Sequence, residues 1–372
     1  MKIAHISDTH LGFSAYRKVD EETGMNQREI DIYRAFQRSV DAMISERVDL
    51  VLHSGDLFDT VRPSNRAISF AMEQFVRLTK AGAKVVVIAG NHSTPRMRET
   101  GSVFKIFEHL PGVRPVYQGI YETVDVGEVI IHAVPHADRD EMTRELDKVI
   151  PVEGRLNVLM LHAGIAGVDV HGGVEHNEQV LPSSYLKEDM DYIALGHYHD
   201  MKKVSDNAYY SGSTERLSFA EVGQRKGFIL LDTDGMRVEE RCMPVRPMFD
   251  LTQIDAKGKD ANEVMAEARS LLEGVDLKGA LVRLNVKRLT GAQYRSLDLR
   301  SLRQLANGCV HFELRFDMTT EDVSVQADDI SITDLEGEFA SYIDGRPVEG
   351  VPKERVARMG LEYLRRGLEG SG

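Results

Sequence analysis

The sequence has only two cysteines, Cys242 and Cys309, in 372 residues. That excludes a disulfide framework and a metal cage built of thiolates. It also lacks any apolar run long enough to span a bilayer. Its first residues, Met1-Lys2-Ile3-Ala4-His5-Ile6, enter a strand-like run without the apolar stretch of a signal peptide. An intracellular, cytoplasmic protein is the expectation. A net positive charge is lacking too. The net charge of −13 argues against a chain that holds nucleic acid by its overall field, though not against a local basic patch.

What is present points to an α/β layered fold. Short apolar runs at Lys2–Ile6, Leu50–His53, Lys84–Ala89, Val129–Val134, Asn157–Leu161 and Tyr192–Leu195 read as strands. Between them Ile30, Tyr33, Phe36, Val40, Met43 and Ile44, and then Ile68, Met72, Phe75 and Leu78, recur at helical spacing. Residues 201–245 read as further strands and turns that complete a second sheet. Pro244-Val245-Arg246-Pro247 breaks regular structure and marks a boundary. Beyond it a smaller α/β unit is expected: strands Met248–Leu251, Ala280–Val286 and Val310–Phe316, with helices Ala261–Leu272 and Ala292–Leu305. Thr319–Asp334 is acidic and polar and reads as a linker, and Lys353–Leu368 as an amphipathic helix. The expected division is 1–245, 246–318 and 319–372.

Chemistry-bearing residues fall at the C-terminal ends of the strands, where open α/β sheets place their ligand sites. Asp8-Thr9-His10 follows the first strand, Gly55-Asp56 the second and Gly90-Asn91-His92 the third. His162 and Gly196-His197-Tyr198-His199 end two later ones. Carboxylate, imidazole and amide oxygen suit Mn²⁺, Fe²⁺ or Zn²⁺. Two such ions, about 3.5–4 Å apart and bridged by a carboxylate, polarise a phosphoryl group and supply its nucleophile. Any one of these residues alone has a plainer reading, as a loop cap or a structural histidine. That reading suits His5, His53, His109, His132, His136, His176 and His311, which lie outside the clusters. It fails for five clusters at successive strand ends.

The set Asp8-x-His10, Gly55-Asp56, Gly90-Asn91-His92, His162 and Gly196-His197-x-His199 resembles the signature of the calcineurin-like metallophosphoesterases. Within that superfamily, His5-Ile6-Ser7-Asp8-Thr9-His10-Leu11-Gly12 and Tyr210-Ser211-Gly212-Ser213-Thr214-Glu215-Arg216 are similar to the Mre-eleven/SbcD nucleases of double-strand-break repair. The resemblance covers residues 1–245 and extends further by architecture. It implies a layered α/β sandwich of two sheets flanked by helices, with a smaller α/β capping domain and a C-terminal helical tail. It implies Asp8, His10 and His199 on one Mn²⁺ ion, Asn91, His162 and His197 on a second, and Asp56 bridging. His92 would act on the leaving group as proton donor or charge stabiliser. The implied activity is exonuclease and endonuclease cleavage of DNA, at double-stranded ends and single-stranded overhangs. A homodimer and a coiled-coil ATPase of the SbcC type are the implied partners.

One position departs from the family pattern: Ser93 stands where Asp is usual after Gly-Asn-His. Either its hydroxyl takes over the missing hydrogen bond or the site holds metal more loosely. Other segments carry two readings. Tyr16, Arg17, Lys18, Gln27 and Arg28 are DNA-backbone contacts or a solvated loop. His171-Gly172-Gly173 is a cleft lining or, more simply, a turn. Arg283, Lys287, Arg288, Arg295, Arg300 and Arg303 form a phosphate-binding patch or a solvated face. The helices around Ser64–Ala81 and Ser102–His109, with Phe104 and Phe107, are a dimer interface or ordinary core. The apolar residues Val356, Met359, Leu361, Tyr363 and Leu364 pack on this protein's own body or on a partner, and the resemblance implies the ATPase as that partner. Another binuclear phosphoesterase, a protein phosphatase or cyclic-nucleotide phosphodiesterase, and a non-catalytic scaffold are the competing readings.

Overall fold

A computed structural model describes residues 1–94, 101–168, 179–319 and 352–369, with Phe339 and Ile343 besides. The expected linker, apart from Thr319, and the His171-Gly172-Gly173 and His176 positions lie outside the described residues.

Two six-stranded sheets lie face to face. The first runs Arg237–Cys242, Gly227–Asp232, Lys2–Ile6, Leu50–His53, Lys84–Ile88 and Val113–Val116. The second runs Lys202–Lys203, Ala208–Tyr210, Tyr192–Gly196, Leu156–His162, Val129–Val134 and Glu122–Val126. The central strands are parallel and buried on both faces, which is why they read as continuous apolar runs. Alternate residues divide between the layers. Val51, Val85 and Val87 pack under the helices Gln27–Glu46 and Asn65–Lys80. Leu50, Leu52, Val86 and Ile88 meet Ile131, Val158, Met160 and Ala194 of the second sheet. On that sheet's far side Leu159, Leu161, Ile193 and Leu195 pack with Met142 and Leu146 of the helix Arg139–Leu146.

This is the layered α/β sandwich expected, with differences that have physical causes. Gly227–Asp232 does not complete the second sheet; it pairs antiparallel with Lys2–Ile6 in the first. The edge strands Val113–Val116 and Glu122–Val126 were missed because exposed polar residues interrupt their apolar pattern, and Arg237–Cys242 extends the first sheet. Phe104 and Phe107 are fully buried against Phe58 and Phe75, so they belong to the core and offer nothing to a second subunit.

After Pro244–Pro247 a third sheet forms on the long strand Leu281–Leu289. Met248–Asp250, Ile254–Asp255 and His311–Met318 all pair parallel to it. Its alternate residues Val282, Leu284 and Val286 build a separate core with Val264, Ala268 and Leu272 of the helix Ala261–Glu273. The helix expected over Ala292–Leu305 is two, Gly291–Ser296 and Leu299–Leu305, because the Asp298 carboxylate caps a new start by accepting from the Ser301 N–H. The last helix, Lys353–Glu369, is present. A Cβ added at its Gly360 would collide with the Phe339 ring, so the helix does have a mate within this chain. Among the described residues no helix is long and apolar enough to cross a membrane.

Candidate metal centre

Backbone hydrogen bonds sew the strand-end loops together. The N–H groups of Asp8, His10 and Leu11 donate to the carbonyls of Gly55, Asp56 and Leu57 at 3.1, 3.0 and 2.9 Å. The third loop joins when the His92 N–H donates to Asp56 Oδ1 at 2.9 Å. His162 Nδ1 lies 2.8 Å from the Ser54 carbonyl, and the His197 N–H donates to both oxygens of Asp8 at 3.1 Å. Close approach needs glycine. A Cβ at Gly55 would lie 2.1 Å from His162 Nδ1, and one at Gly90 would lie 2.3 Å from Asp56 Oδ1. Asp8, His10, Asp56 and His197 all hold positive φ, at 50°, 44°, 48° and 105°. Such strained backbone in non-glycine residues gathers at functional sites.

The side chains delivered this way are acceptors facing acceptors. The Nδ1 atoms of His10 and His199 face carboxylates, Asp59 at 3.2 Å and Glu221 at 3.1 Å. An ionised carboxylate only accepts, so these nitrogens carry the ring protons. The two Nε2 atoms then meet head-on at 3.2 Å, a contact that only a cation or a proton between them relieves. Asp8 completes this group within 4.8 Å. Beside it, His162 Nε2 faces Asn91 Oδ1 at 2.8 Å and Asp56 Oδ2 at 3.1 Å, and His197 Nδ1 faces the same amide oxygen at 3.3 Å. His162 Nδ1 donates to Ser54, so its Nε2 meets Asp56 either through a proton or through a cation. Burial alone lowers the His162 imidazole, but Asp56 outweighs it and raises the ring to about 9. Burial likewise raises the Asp8 carboxyl, whereas at Asp56 the pull of His162 prevails and holds it well below the usual range. Nitrogen and oxygen donors crowded this closely, where a cation can take the place of a shared proton, fit a pair of divalent ions.

All eight residues expected at the site are brought together. Asp8, His10, Asp56, His162 and His197 are buried, while Asn91, His92 and His199 are half-buried and form the open side. His92 Nδ1 donates to the Asp59 carbonyl at 2.7 Å, and its ring stands edge-on to His10 with centroids 4.8 Å apart. The Ser93 hydroxyl is buried and meets no partner among the described residues, so it does not take over a hydrogen bond. Thr94 Oγ1 instead donates to the Gly90 carbonyl at 2.8 Å.

Sequence reading missed Asp59, Glu221 and Lys226. Asp59 had a signal, since it lies three residues past Asp56 in the same loop. Glu221 and Lys226 had none, being far from any strand end that carries a motif. His109 is exposed, and the buried histidines outside the set, His5, His53 and His132, are structural. His5, for example, bonds Tyr192 and Leu195 within the core, and burial lowers it to about 3. Arg28 is also structural: it is fully buried, pairs with Asp31 at 2.7 Å and donates to the Arg216 carbonyl. It is out of reach of DNA. Tyr16 stacks on His311 of the third sheet, with ring centroids 3.8 Å apart.

Residues 1–201 match the calcineurin-like phosphoesterases. The chain belongs to this family, whose members hydrolyse phosphoesters. Among named relatives it is similar to the DNA double-strand break repair protein Mre11 of Methanopyrus kandleri, at 26% identity over 98% of this chain and 82% of that protein. The protein of the same name from Sulfurisphaera tokodaii is 27% identical over 92% of this chain and 88% of its own length. That from Sulfolobus acidocaldarius is 32% identical over 63% and 61%.

Proposed function

We propose that this chain is a nuclease of the Mre11 type, a two-metal phosphodiesterase that processes DNA ends in double-strand-break repair. The convergence of nitrogen and oxygen donors at the joined strand ends carries the reading. Relatives named as break-repair proteins, matched over nearly the whole chain, support the choice of DNA as substrate. Asp8, His10 and His199 would hold one ion, Asn91, His162 and His197 the other, and Asp56 would contribute to both. When bound, the two ions polarise the phosphoryl oxygens and lower the pKa of the attacking water. The metal is Mn²⁺ in this reading.

The protein's own residues supply position and protons. Loops joined through backbone bonds keep the donors in place without reorganisation during the reaction. His92, its Nδ1 anchored on the Asp59 carbonyl, presents Nε2 for proton exchange with the leaving oxygen. Residues 246–318 form a cap that contacts DNA, and 319–372 carry the docking site for a coiled-coil ATPase of the SbcC type. The enzyme works in the cytoplasm, as a homodimer.

The test is cleavage of end-labelled double-stranded DNA with Mn²⁺, Mg²⁺ or chelator. Metal-dependent shortening that chelator abolishes is expected, most strongly with Mn²⁺. Hydrolysis of small phosphodiesters or phosphoproteins with no action on DNA would assign the chain to another branch of the family. Metal binding without any hydrolysis would make it a scaffold.

A further inference from the structure

Outside the proposed ligands, the most unusual group in the molecule is a lysine with no access to water. Lys226 is fully buried, and its ammonium lies against four oxygens: Glu221 Oε2 at 2.6 Å, the His199 carbonyl at 2.7 Å, Ser213 Oγ at 2.8 Å and Gln224 Oε1 at 2.9 Å. An ammonium has three protons to donate, so this cradle satisfies it completely. Burying an ion pair is weak support for stability by itself, because desolvation opposes it. What the pair touches is more telling than its charge.

Lys226 reaches His199 twice. It bonds the His199 carbonyl directly, and it bonds Glu221, whose other oxygen accepts from the His199 ring at Nδ1, 3.1 Å away. Backbone and ring of one residue are therefore held through a single ammonium. The holders are themselves rigid. The Lys226 carbonyl accepts from the Met243 N–H at 2.8 Å, just before Gly227–Asp232 enters the first sheet. Glu221 Oε2 also accepts from the Leu217 N–H at 3.2 Å. The turn that carries Glu221 is fixed from its far side by Phe219, which packs on Met248 and Leu281 of the third sheet. His162, by contrast, has its Nδ1 met by a backbone carbonyl, with no charged side chain behind it.

We propose that Glu221 and Lys226 are positioning residues for the ion held by Asp8, His10 and His199, locking the His199 ring in the tautomer and orientation that aim Nε2 at the metal. The proposal rests on the two-metal reading above. A carboxylate behind a ligating histidine typically governs metal affinity by about 10–100-fold. The effect belongs to one ion, since the bonds from both residues to the metal centre run to His199.

Mn²⁺ titration by calorimetry on the full chain, with circular dichroism to confirm folding, tests it. Wild-type protein taking up two ions sustains the two-metal reading, and fewer than two overturns it and the proposal with it. Glu221→Gln with Lys226→Met keeps volume, removes both charges and leaves one acceptor for the His199 ring. Glu221→Leu with Lys226→Met removes that acceptor as well. The expected order is a drop of about tenfold in the first variant and of up to about 100-fold in the second, at one ion only. The amide thus rescues part of the loss, which a merely structural pair would not produce. If the Leu variant does not fold, the Gln variant alone carries the test. Wild-type affinity for both ions in the folded Gln variant, or equal weakening of both, would overturn the proposal.

Discussion

The floor of the metal centre and the third sheet both looked chemically active, yet their charged groups are in opposite situations. At the strand ends the Nε2 atoms of His10 and His199 face each other and His162 Nε2 faces the oxygens of Asn91 and Asp56, so metal-binding donors converge. On the third sheet, half-buried Arg283 pairs with Asp250 at 2.6 Å and stacks on Phe219, and Arg288 pairs with Asp255. Those two arginines are already answered. Only Lys287, Arg295, Arg300 and Arg303 of the basic set have no ion-pair partner among the described residues. Unmet demand marks a ligand, and a charge count alone does not.

The strongest way to break the contrast is at Asp56. Asp56→Ala removes a carboxylate that faces His162 and receives the His92 N–H, so both ions and all phosphodiester turnover should be lost. Metal analysis of the purified variant checks this, and retention of both ions at wild-type occupancy would refute the bridging role. A smaller effect is expected at His92, whose ring is anchored on a backbone carbonyl at the open side. His92→Ser should keep both ions while lowering turnover by about 10²–10⁴-fold. A variant that loses metal, or cleaves at the wild-type rate, would count against proton transfer there.

The third sheet offers a finer division. Arg295→Ala, Arg300→Ala and Arg303→Ala together should weaken DNA binding and flatten its salt dependence by about 0.9 for each phosphate no longer neutralised. Arg283→Ala with Arg288→Ala should leave that slope unchanged and lower stability by about 1 kcal/mol or less per pair, since both arginines are partly exposed. Binding measured across a salt series separates the two sets, and equal slopes in both variants would erase the distinction. The smallest effect is expected at Ser93. Removing a buried hydroxyl that bonds nothing should leave metal affinity intact and stability within about 0.5 kcal/mol, or slightly higher. A marked loss of metal from Ser93→Ala would show a hydrogen bond there after all.

The sequence by itself determined the strands that carry the site, because parallel strands buried on both faces must be apolar throughout. It also determined the ligand types, because a two-metal site demands carboxylate and imidazole at strand ends. Which charges remain available was decided only by the tertiary structure. Arg28 reads as solvent-facing and Phe104 as interface or core, but packing against Asp31 and Phe58 takes both out of solvent. The joining of Gly227–Asp232 to the first sheet was also tertiary, since strand pairing depends on partners more than two hundred residues away. Glu221 and Lys226 were invisible for the same reason. Their meaning lies in what surrounds His199, and proximity of that kind is created when the sheets close, not written in the spacing of the chain.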